Sequence, residues 1–325
     1  MTAGERECLD VRLAGVLAAV GLLVPVLLSG YEIKLATTIT IQAGLAVALG
    51  FVVGPGGLIS LGHAAFYGVG AYVFAMMAPQ SGPASLLVTA LTSIAGAGVF
   101  AFIVGAVSLR ARGLYFVLMT LAFGQLAFHF FHDTGVGGSA DGTYIYFRPE
   151  LRLPGLTISL EQPQRFYLLV YLMVATCMAL AWWLRRSALG SVLLAARDNE
   201  QRVRAFGFSP YAVRLFAFAV SGAMAGAMGY LTAAQNGFVV PEMLGWHASA
   251  IALVMVLIGG KDTISGPVIG AVVLLISEEV LQRLTQHWLV GVGLMIVAVV
   301  LTAPQGLVPY VARIALPQWQ RWRHG

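Results

Sequence analysis

A long uncharged stretch constrains this chain more than any other feature of its sequence. The 75 residues from Leu35 to Leu109 contain no Asp, Glu, Lys or Arg. A membrane-spanning helix needs about 20 apolar residues, so this stretch has room for about three spans. Over the whole chain, 59% of the 325 residues are apolar and 10% are charged, whereas soluble domains carry about 25% charged residues. The sequence therefore predicts an integral membrane protein.

Uncharged, mainly apolar runs continue along the rest of the chain. They predict an all-α, polytopic membrane protein of about ten transmembrane helices. The first run is interpreted as an uncleaved helix, because Tyr31 stands where a lipoprotein signal would need a cysteine. Two runs, 246–260 and 263–277, are short enough to be re-entrant or to extend into their flanking residues. The runs are residues 13–30, 35–53, 59–78, 84–109, 113–131, 166–184, 215–233, 246–260, 263–277 and 288–304.

The positions of Lys and Arg predict the orientation of these helices, because basic residues are retained on the cytoplasmic side. With the N-terminus inside, 14 of the 19 basic residues fall in cytoplasmic segments. Residues 1–325 then form a single transmembrane domain with both termini in the cytoplasm, a periplasmic loop at 132–164 and a cytoplasmic loop at 185–208. The basic residues behind the net charge of +5 lie at the ends of loops and do not form a nucleic-acid-binding surface.

The two long loops differ in composition. The outer loop is rich in Gly and Pro, which are turn formers, so we expect a loop or a small cap there. The inner loop has no Pro or Gly between residues 191 and 206, which predicts a surface helix that ends at Gly207. Two ion pairs between residues four apart support that helix. They are Asp198 with Arg202 and Glu200 with Arg204.

Two features inside the predicted spans concern packing and polarity. Gly222 with Gly226, and Gly266 with Gly270, have the spacing that lets transmembrane helices pack closely. Ser60, His63 and Tyr67 would share one face of a helix in an uncharged region. Polar groups within a membrane face protein or water. This polar stripe therefore either lines a solute path or packs as hydrogen-bonded core.

Several stretches of the sequence resemble one known family. GLISLGHAAFYGVGAY occupies residues 57–72, RGLYF residues 112–116, TLAFG residues 120–124, AARDNE residues 195–200, AFG residues 205–207, GG residues 259–260, GPVIGA residues 266–271 and APQGL residues 303–307. In this order and separation they are similar to the Liv-type permeases, the membrane subunits of branched-chain amino acid ABC importers. The RGLYF block and the chain length are more similar to the M-type subunit than to its shorter partner.

This resemblance implies a function and a set of partners. The chain would be a permease subunit in the bacterial inner membrane, working with a second permease, two cytoplasmic ATPase subunits and a periplasmic solute-binding protein. Branched-chain or related small amino acids are the implied solutes, with urea, short amides or aromatic acids as alternatives. The inner loop would dock in a groove of the ATPase, although it could also be only a solvated loop. The implied coupling residues are Arg197, Asp198, Asn199, Glu200 and Gly207.

The sequence contains no recognisable catalytic motif. A nucleotide-binding phosphate loop requires Gly-x-x-x-x-Gly-Lys followed by Ser or Thr, and His-Glu-x-x-His and Gly-x-Ser-x-Gly are also missing. We therefore predict no catalytic residue, no cofactor and no metal site, with ATP hydrolysis on separate partner subunits. The rival interpretation is a stand-alone secondary transporter or channel for small polar solutes. Ion-coupled carriers place carboxylates at mid-membrane. No Asp or Glu lies centrally in a predicted span, which argues against this alternative.

Overall fold

The computed structural model describes residues 3–153 and 156–310, so the predicted position of the C-terminus falls on residues outside the described part. Twelve α-helices, two 3-10 turns and four short strands make up these ranges. The helices are α1 (Ala3–Leu27), α2 (Tyr31–Val53), α3 (His63–Met77), α4 (Leu86–Ser108), α5 (Leu114–Asp133), α6 (Pro163–Arg186), α7 (Ala188–Asp198), α8 (Glu200–Ala205), α9 (Pro210–Asn236), α10 (Trp246–Gly259), α11 (Gly266–Leu284) and α12 (Trp288–Thr302). The strands are β1 (Thr143–Tyr144), β2 (Leu151–Leu153), β3 (Leu156–Ile158) and β4 (Phe238–Val239).

Each of the ten predicted apolar runs coincides with one of these helices, and only α7 and α8 fall between runs. Five helices, α2, α4, α5, α6 and α9, are long and apolar enough to cross a membrane by themselves. The apolar part of α1 and the helices α3, α10 and α12 are shorter. The described residues are thus predominantly helical, as expected of a multi-pass membrane protein. The short run at 263–277 is extended by seven residues to the end of α11.

One predicted span begins later than expected. The run 59–78 becomes helical only at His63, because the glycine-rich segment after α2 turns back before α3 starts. With 15 residues, α3 is about 22 Å long, shorter than the hydrocarbon core of about 30 Å. Within a membrane protein, the N–H and C=O groups of non-helical backbone must find hydrogen-bond partners in the protein itself. The Oγ atoms of Thr120 and Ser249 accept hydrogen bonds from the amides of Leu61 and Ala64 at 3.2 and 2.8 Å.

Helix α9 lies at the centre of the bundle and packs against α2, α3 and α4. Ser209 caps its first turn, Pro210 occupies the first helical position, and Gly237 ends it in the left-handed conformation. A Cβ on Gly222 or Gly226 would lie less than 3.0 Å from a Cβ of α4. A Cβ on Gly266 would overlap the backbone of Gly260 just after α10, and a Cβ on Gly270 would overlap the backbone of Met255 within α10. The predicted close packing at these glycines is confirmed.

The ends of the bundle can be assigned along α2, which connects them. At the start of α2 the Tyr31 hydroxyl donates to Glu279 at 3.0 Å, and beyond its end Gly54 accepts from Arg197 at 2.6 Å. The outer loop lies at the first of these ends, because Gln235 near the end of α9 donates to the carbonyl of Lys34 at 3.2 Å and β4, just beyond α9, pairs with β1 of the outer loop. The inner loop lies at the second end. The two long loops therefore occupy opposite ends of the bundle.

The outer loop forms a small cap. A 3-10 turn at Ser139–Asp141 is followed by β1, and β2 and β3 form an antiparallel hairpin. These short strands are the departure from a purely helical chain. A Cβ on Gly138, whose φ is +92°, would overlap the backbone of Gly142, so this turn requires glycine.

Candidate coupling surface and buried junction

The inner loop folds as two helices instead of the predicted single one. The Ser187 side chain accepts from the amide of Gly190 at 3.3 Å and caps α7. Asn199 then leaves the helical conformation with φ −153° and ψ 101°, and its Oδ1 accepts from the amide of Arg202 at 3.1 Å. Asparagine favours such caps because its side chain competes for backbone donors. The break at Asn199 separates α7 from α8.

The break at Asn199 explains why one of the two predicted ion pairs forms and the other does not. Glu200 and Arg204 are both in α8, and their Oε1 and Nη2 atoms are 2.7 Å apart, so this pair is confirmed. Asp198 ends α7 whereas Arg202 belongs to α8. The prediction of an Asp198–Arg202 pair is wrong, because the cap removes the helical geometry that would bring the side chains together. Among the described residues, Asp198 has no ion pair.

Glu200 lies at the centre of a cluster of three arginines. Besides Arg204, its carboxylate is 3.4 Å from the Nη2 of Arg112 in the α4–α5 turn and 3.6 Å from the Nη1 of Arg214 in α9. Its side chain is 22% exposed. Partial burial raises the Glu200 pKa, but the hydrogen bond from Arg204 and the charges of Arg214 and Arg112 outweigh that effect. The net pKa lies below its ordinary value, so Glu200 is ionised at neutral pH.

Arg197 joins the inner loop to two other turns. Its Nη1 donates to the carbonyl of Gly54 at 2.6 Å and to the Oδ1 of Asp262 at 2.9 Å. Arg185, at the end of α6, donates to the carbonyl of the same Asp262 at 2.6 Å. Arg197 and Glu200 were predicted to contact a partner subunit, and in this chain both are engaged with their own bundle. They connect the loop mechanically to the ends of α2, α4, α9 and α10.

After α8 the loop continues as an exposed aromatic turn formed by Phe206, Gly207 and Phe208. The amides of Gly207 and Phe208 donate to the carbonyls of Arg204 and Val203, which is a Schellman C-cap with Gly207 in the left-handed region at φ +83°. Phe206 is 81% exposed and Phe208 53%. The prediction did not include these two phenylalanines. The available signal was an aromatic residue on each side of a helix-ending glycine.

The predicted polar stripe is a buried junction. Ser60 lies before α3, so the three residues do not share one helix face. The His63 ring, fully buried, has its Nδ1 3.1 Å from the Ser60 Oγ and its Nε2 2.8 Å from the Ser221 Oγ. Ser221 donates to the carbonyl of Ala48 at 2.6 Å, so it accepts from Nε2–H, and Ser60 donates to Nδ1. Tyr67 instead donates to Thr232 at 2.7 Å.

These observations define a class: a polytopic membrane protein with a tightly packed helical bundle and one exposed loop fixed to several helix ends. A family profile described as "branched-chain amino acid transport system / permease component" matches residues 31–302. The chain belongs to this family, as the resemblance of its motifs predicted.

Individual relatives agree with this membership. The chain is 30% identical over 307 residues to the high-affinity branched-chain amino acid transport system permease protein LivM of Salmonella typhimurium, covering 88% of this chain and 72% of the relative. It is 31% identical over 309 residues to LivM of Escherichia coli, with the same coverage. The autoinducer 2 import system permease protein LsrC of Yersinia pestis is 35% identical over 146 residues, 42% of this chain and 41% of the relative. No solved structure matches the chain significantly.

Proposed function

We propose that the chain is a permease subunit of an ATP-driven ABC importer that carries branched-chain or related small amino acids into the cytoplasm. The observation that carries this proposal is the family match over residues 31–302, together with similarity to LivM along most of the chain. The choice of solute rests on the names of these relatives. Urea, short amides and aromatic acids are the alternative solutes within the same transport mechanism.

The proposed assembly contains a second permease subunit, two cytoplasmic ATPase subunits and a periplasmic solute-binding protein. The chain has no phosphate loop, so energy from ATP would have to enter through contact with another subunit. The proposed ATPase activity belongs to those partners and not to this chain. The missing phosphate loop therefore supports the proposal that the permease works only within a complex.

The proposed topology has about ten spans over residues 1–325 in the bacterial inner membrane, with both termini cytoplasmic. The inner loop at 185–208 would face the cytoplasm and the outer loop at 132–164 the periplasm. The 14 to 5 partition of basic residues supports this orientation. The location of the two loops at opposite ends of the bundle agrees with it.

The inner loop is proposed as the coupling element. Phe206 and Phe208, presented by Gly207, offer apolar anchors that a groove of the ATPase would bury, and aromatic residues commonly dominate such contacts. Asp198 and Asn199, in the same loop, are also exposed. Arg197 and Glu200 would transmit displacement of the docked loop to the helix ends that they hold. Rigid-body movement of packed helices is an established way to change access to a membrane path.

The suggestion that Ser60, His63 and Tyr67 line the solute path remains a prediction. Ser60 and His63 are fully buried, and His63 contacts Ser221 of α9, so a solute would reach them only if α3 and α9 moved apart. Such a separation would break the hydrogen bond between His63 and Ser221.

The proposed function is tested by uptake of L-leucine, L-isoleucine and L-valine into proteoliposomes. The complex is reconstituted so that the binding protein and solute are on one side and ATP on the other. Uptake should require ATP, both ATPase subunits and the binding protein. Uptake by this chain alone, driven by an ion gradient without ATP, would instead identify a secondary transporter.

A further inference from the structure

A cavity of about 490 Å³ opens beside the coupling loop. It lies between the turn after α2, the α4–α5 turn and the start of α8, at the end of the bundle where the inner loop lies. Its volume falls in the range of about 300–1,000 Å³ typical of small-molecule sites. None of the predicted functions of the loop uses this space.

The charged residues of the cavity are three arginines and one glutamate. They are Arg112, Arg197, Arg214 and Glu200. Arg197 is neutralised by Asp262, which leaves Arg112 and Arg214 with one carboxylate between them, itself already bound by Arg204. The lining therefore has a surplus of positive charge and can accept an additional carboxylate.

The two available arginines are incompletely satisfied. Arg112 is 74% exposed, and its 3.4 Å contact with Glu200 is longer than the about 2.7–2.9 Å of a strong charge-assisted hydrogen bond. Arg214 lines the cavity with a side chain that is 19% exposed, and its Nη2 donates to the carbonyl of Ala196 at 2.9 Å. Its Nη1 is 3.6 Å from the Glu200 carboxylate, which is also longer than a strong charge-assisted hydrogen bond. Both guanidinium groups are thus suited to bind a carboxylate that enters the cavity.

The remaining lining is apolar. It includes Leu58, Ile59, Leu114, Phe116 and Val117. A ligand that fits both parts has a carboxylate, a cationic group for Glu200 and an aliphatic side chain. From this arrangement we infer that the cavity binds a free aliphatic amino acid from the cytoplasm, with its carboxylate on Arg112 and Arg214 and its ammonium group on Glu200.

This inference rests on the proposed function, because its ligand is the solute delivered by transport. Such a ligand would bridge the α4–α5 turn, α8 and α9, and would compete with Arg112 for the Glu200 carboxylate. Occupancy would hold the coupling loop against the bundle in one position and slow its movement. The cavity is therefore a site at which accumulated product inhibits further import.

The test uses the complete complex in proteoliposomes that enclose saturating binding protein and L-leucine, with the ATPase subunits facing the outer medium. L-leucine added outside should lower the rate of ATP hydrolysis, and it cannot act through the enclosed binding protein. L-leucinol, which lacks the carboxylate, and 4-methylpentanoate, which lacks the ammonium group, should inhibit much less. Each rate is divided by the rate of the same variant without outer amino acid.

Matched variants locate the effect. Arg112→Gln and Arg214→Gln should each raise the half-inhibitory L-leucine concentration by about tenfold or more, the loss expected for one charge-assisted hydrogen bond. Arg112→Lys, which keeps the charge, should cause a smaller shift. Arg110→Gln should leave it unchanged, because Arg110 is two residues away and outside the lining.

Three results would overturn the inference, and the third is distinguishable from the first two. Normal uptake of L-leucine with no inhibition from outside, or with equal inhibition in the wild type and both glutamine variants, would show that this cavity is not an amino-acid site. Absence of uptake of L-leucine, L-isoleucine and L-valine by the wild type would contradict the proposed function, and with it the ligand named here.

Discussion

At the scale of single residues, Gly207 sets the direction in which the aromatic turn leaves α8. Its φ of +83° is strained for residues with a side chain, yet a Cβ there would meet nothing within 4 Å. A substitution at this position therefore acts through the backbone and not through a clash. Variants at Gly207 can thus test the backbone geometry of the turn without altering the side-chain packing around it.

We expect Gly207→Val to weaken the association of the ATPase subunits about 5–30-fold, because the left-handed conformation costs a side-chain-bearing residue about 1–2 kcal/mol. Gly207→Asn is the matched control, since asparagine tolerates this conformation. The measurement is the amount of ATPase recovered with the tagged permease at equal expression. Equal recovery with both variants would show that the turn is not the docking contact.

His63 provides a second test at this scale. In a chain whose own cysteines are replaced through Cys8→Ser and Cys177→Ala, His63→Cys should not react with a water-soluble thiol reagent at rest, because this position is fully buried. Reaction during ATP turnover is expected if the position lines the solute path. Protection in every state would assign Ser60 and His63 to structural packing alone. Ser191→Cys, on the exposed loop, is the positive control.

At the scale of elements, helix existence was predictable and helix boundaries were less so. Each apolar run became a helix because hydropathy decides what can lie in lipid. The late start of α3 depends on Thr120 and Ser249, hydroxyl groups far along the chain that satisfy its turn. The break at Asn199 depends on one cap. The late start of α3 therefore required tertiary information, whereas the break at Asn199 comes from a local cap that the periodicity of apolar residues does not reveal.

The close approach of α9 to α4 gives the prediction at this scale. Gly226→Leu should destabilise the bundle, because its Cβ would overlap Ala97 and overpacking a core costs about 1–3 kcal/mol or more. Gly293→Leu in α12 is the control, since a Cβ at Gly293 meets nothing within 4 Å. The measurement is the midpoint of thermal unfolding in detergent. An equal midpoint for both variants would contradict the described packing.

At the scale of the whole molecule, the contacts between distant segments could not be predicted from the sequence. The contact of Arg197 and Glu200 with a partner subunit stays a prediction, and within this chain the two residues contact Gly54, Asp262 and arginines from other elements. Arg112 is 88 positions from Glu200, so no local pattern announces their contact. Phe206 and Phe208 flank a helix-ending glycine in the sequence, but their exposure of 81% and 53% is seen only in the structure.

Topology is tested with two single cysteines. Ala140→Cys in the outer cap and Ser191→Cys in the inner loop should react with an impermeant reagent from opposite sides of the membrane. In intact spheroplasts only the first is expected to be labelled, and after lysis both are. Labelling of both in intact spheroplasts would overturn the proposed orientation.

The central claim is that residues 188–208 couple ATP hydrolysis on the partner subunits to movement of this bundle. The most direct measurement compares ATPase recovery, binding-protein-stimulated hydrolysis and uptake for Glu200→Ala and Arg197→Ala in the reconstituted complex. Both variants should retain bound ATPase, because the aromatic turn is intact, but lose stimulated hydrolysis and uptake together, because the loop is no longer tied to the helix ends. Gln201→Ala, the next residue of α8, should behave as the wild type. Normal stimulated hydrolysis and uptake by both Glu200→Ala and Arg197→Ala would show that this segment is only a loop.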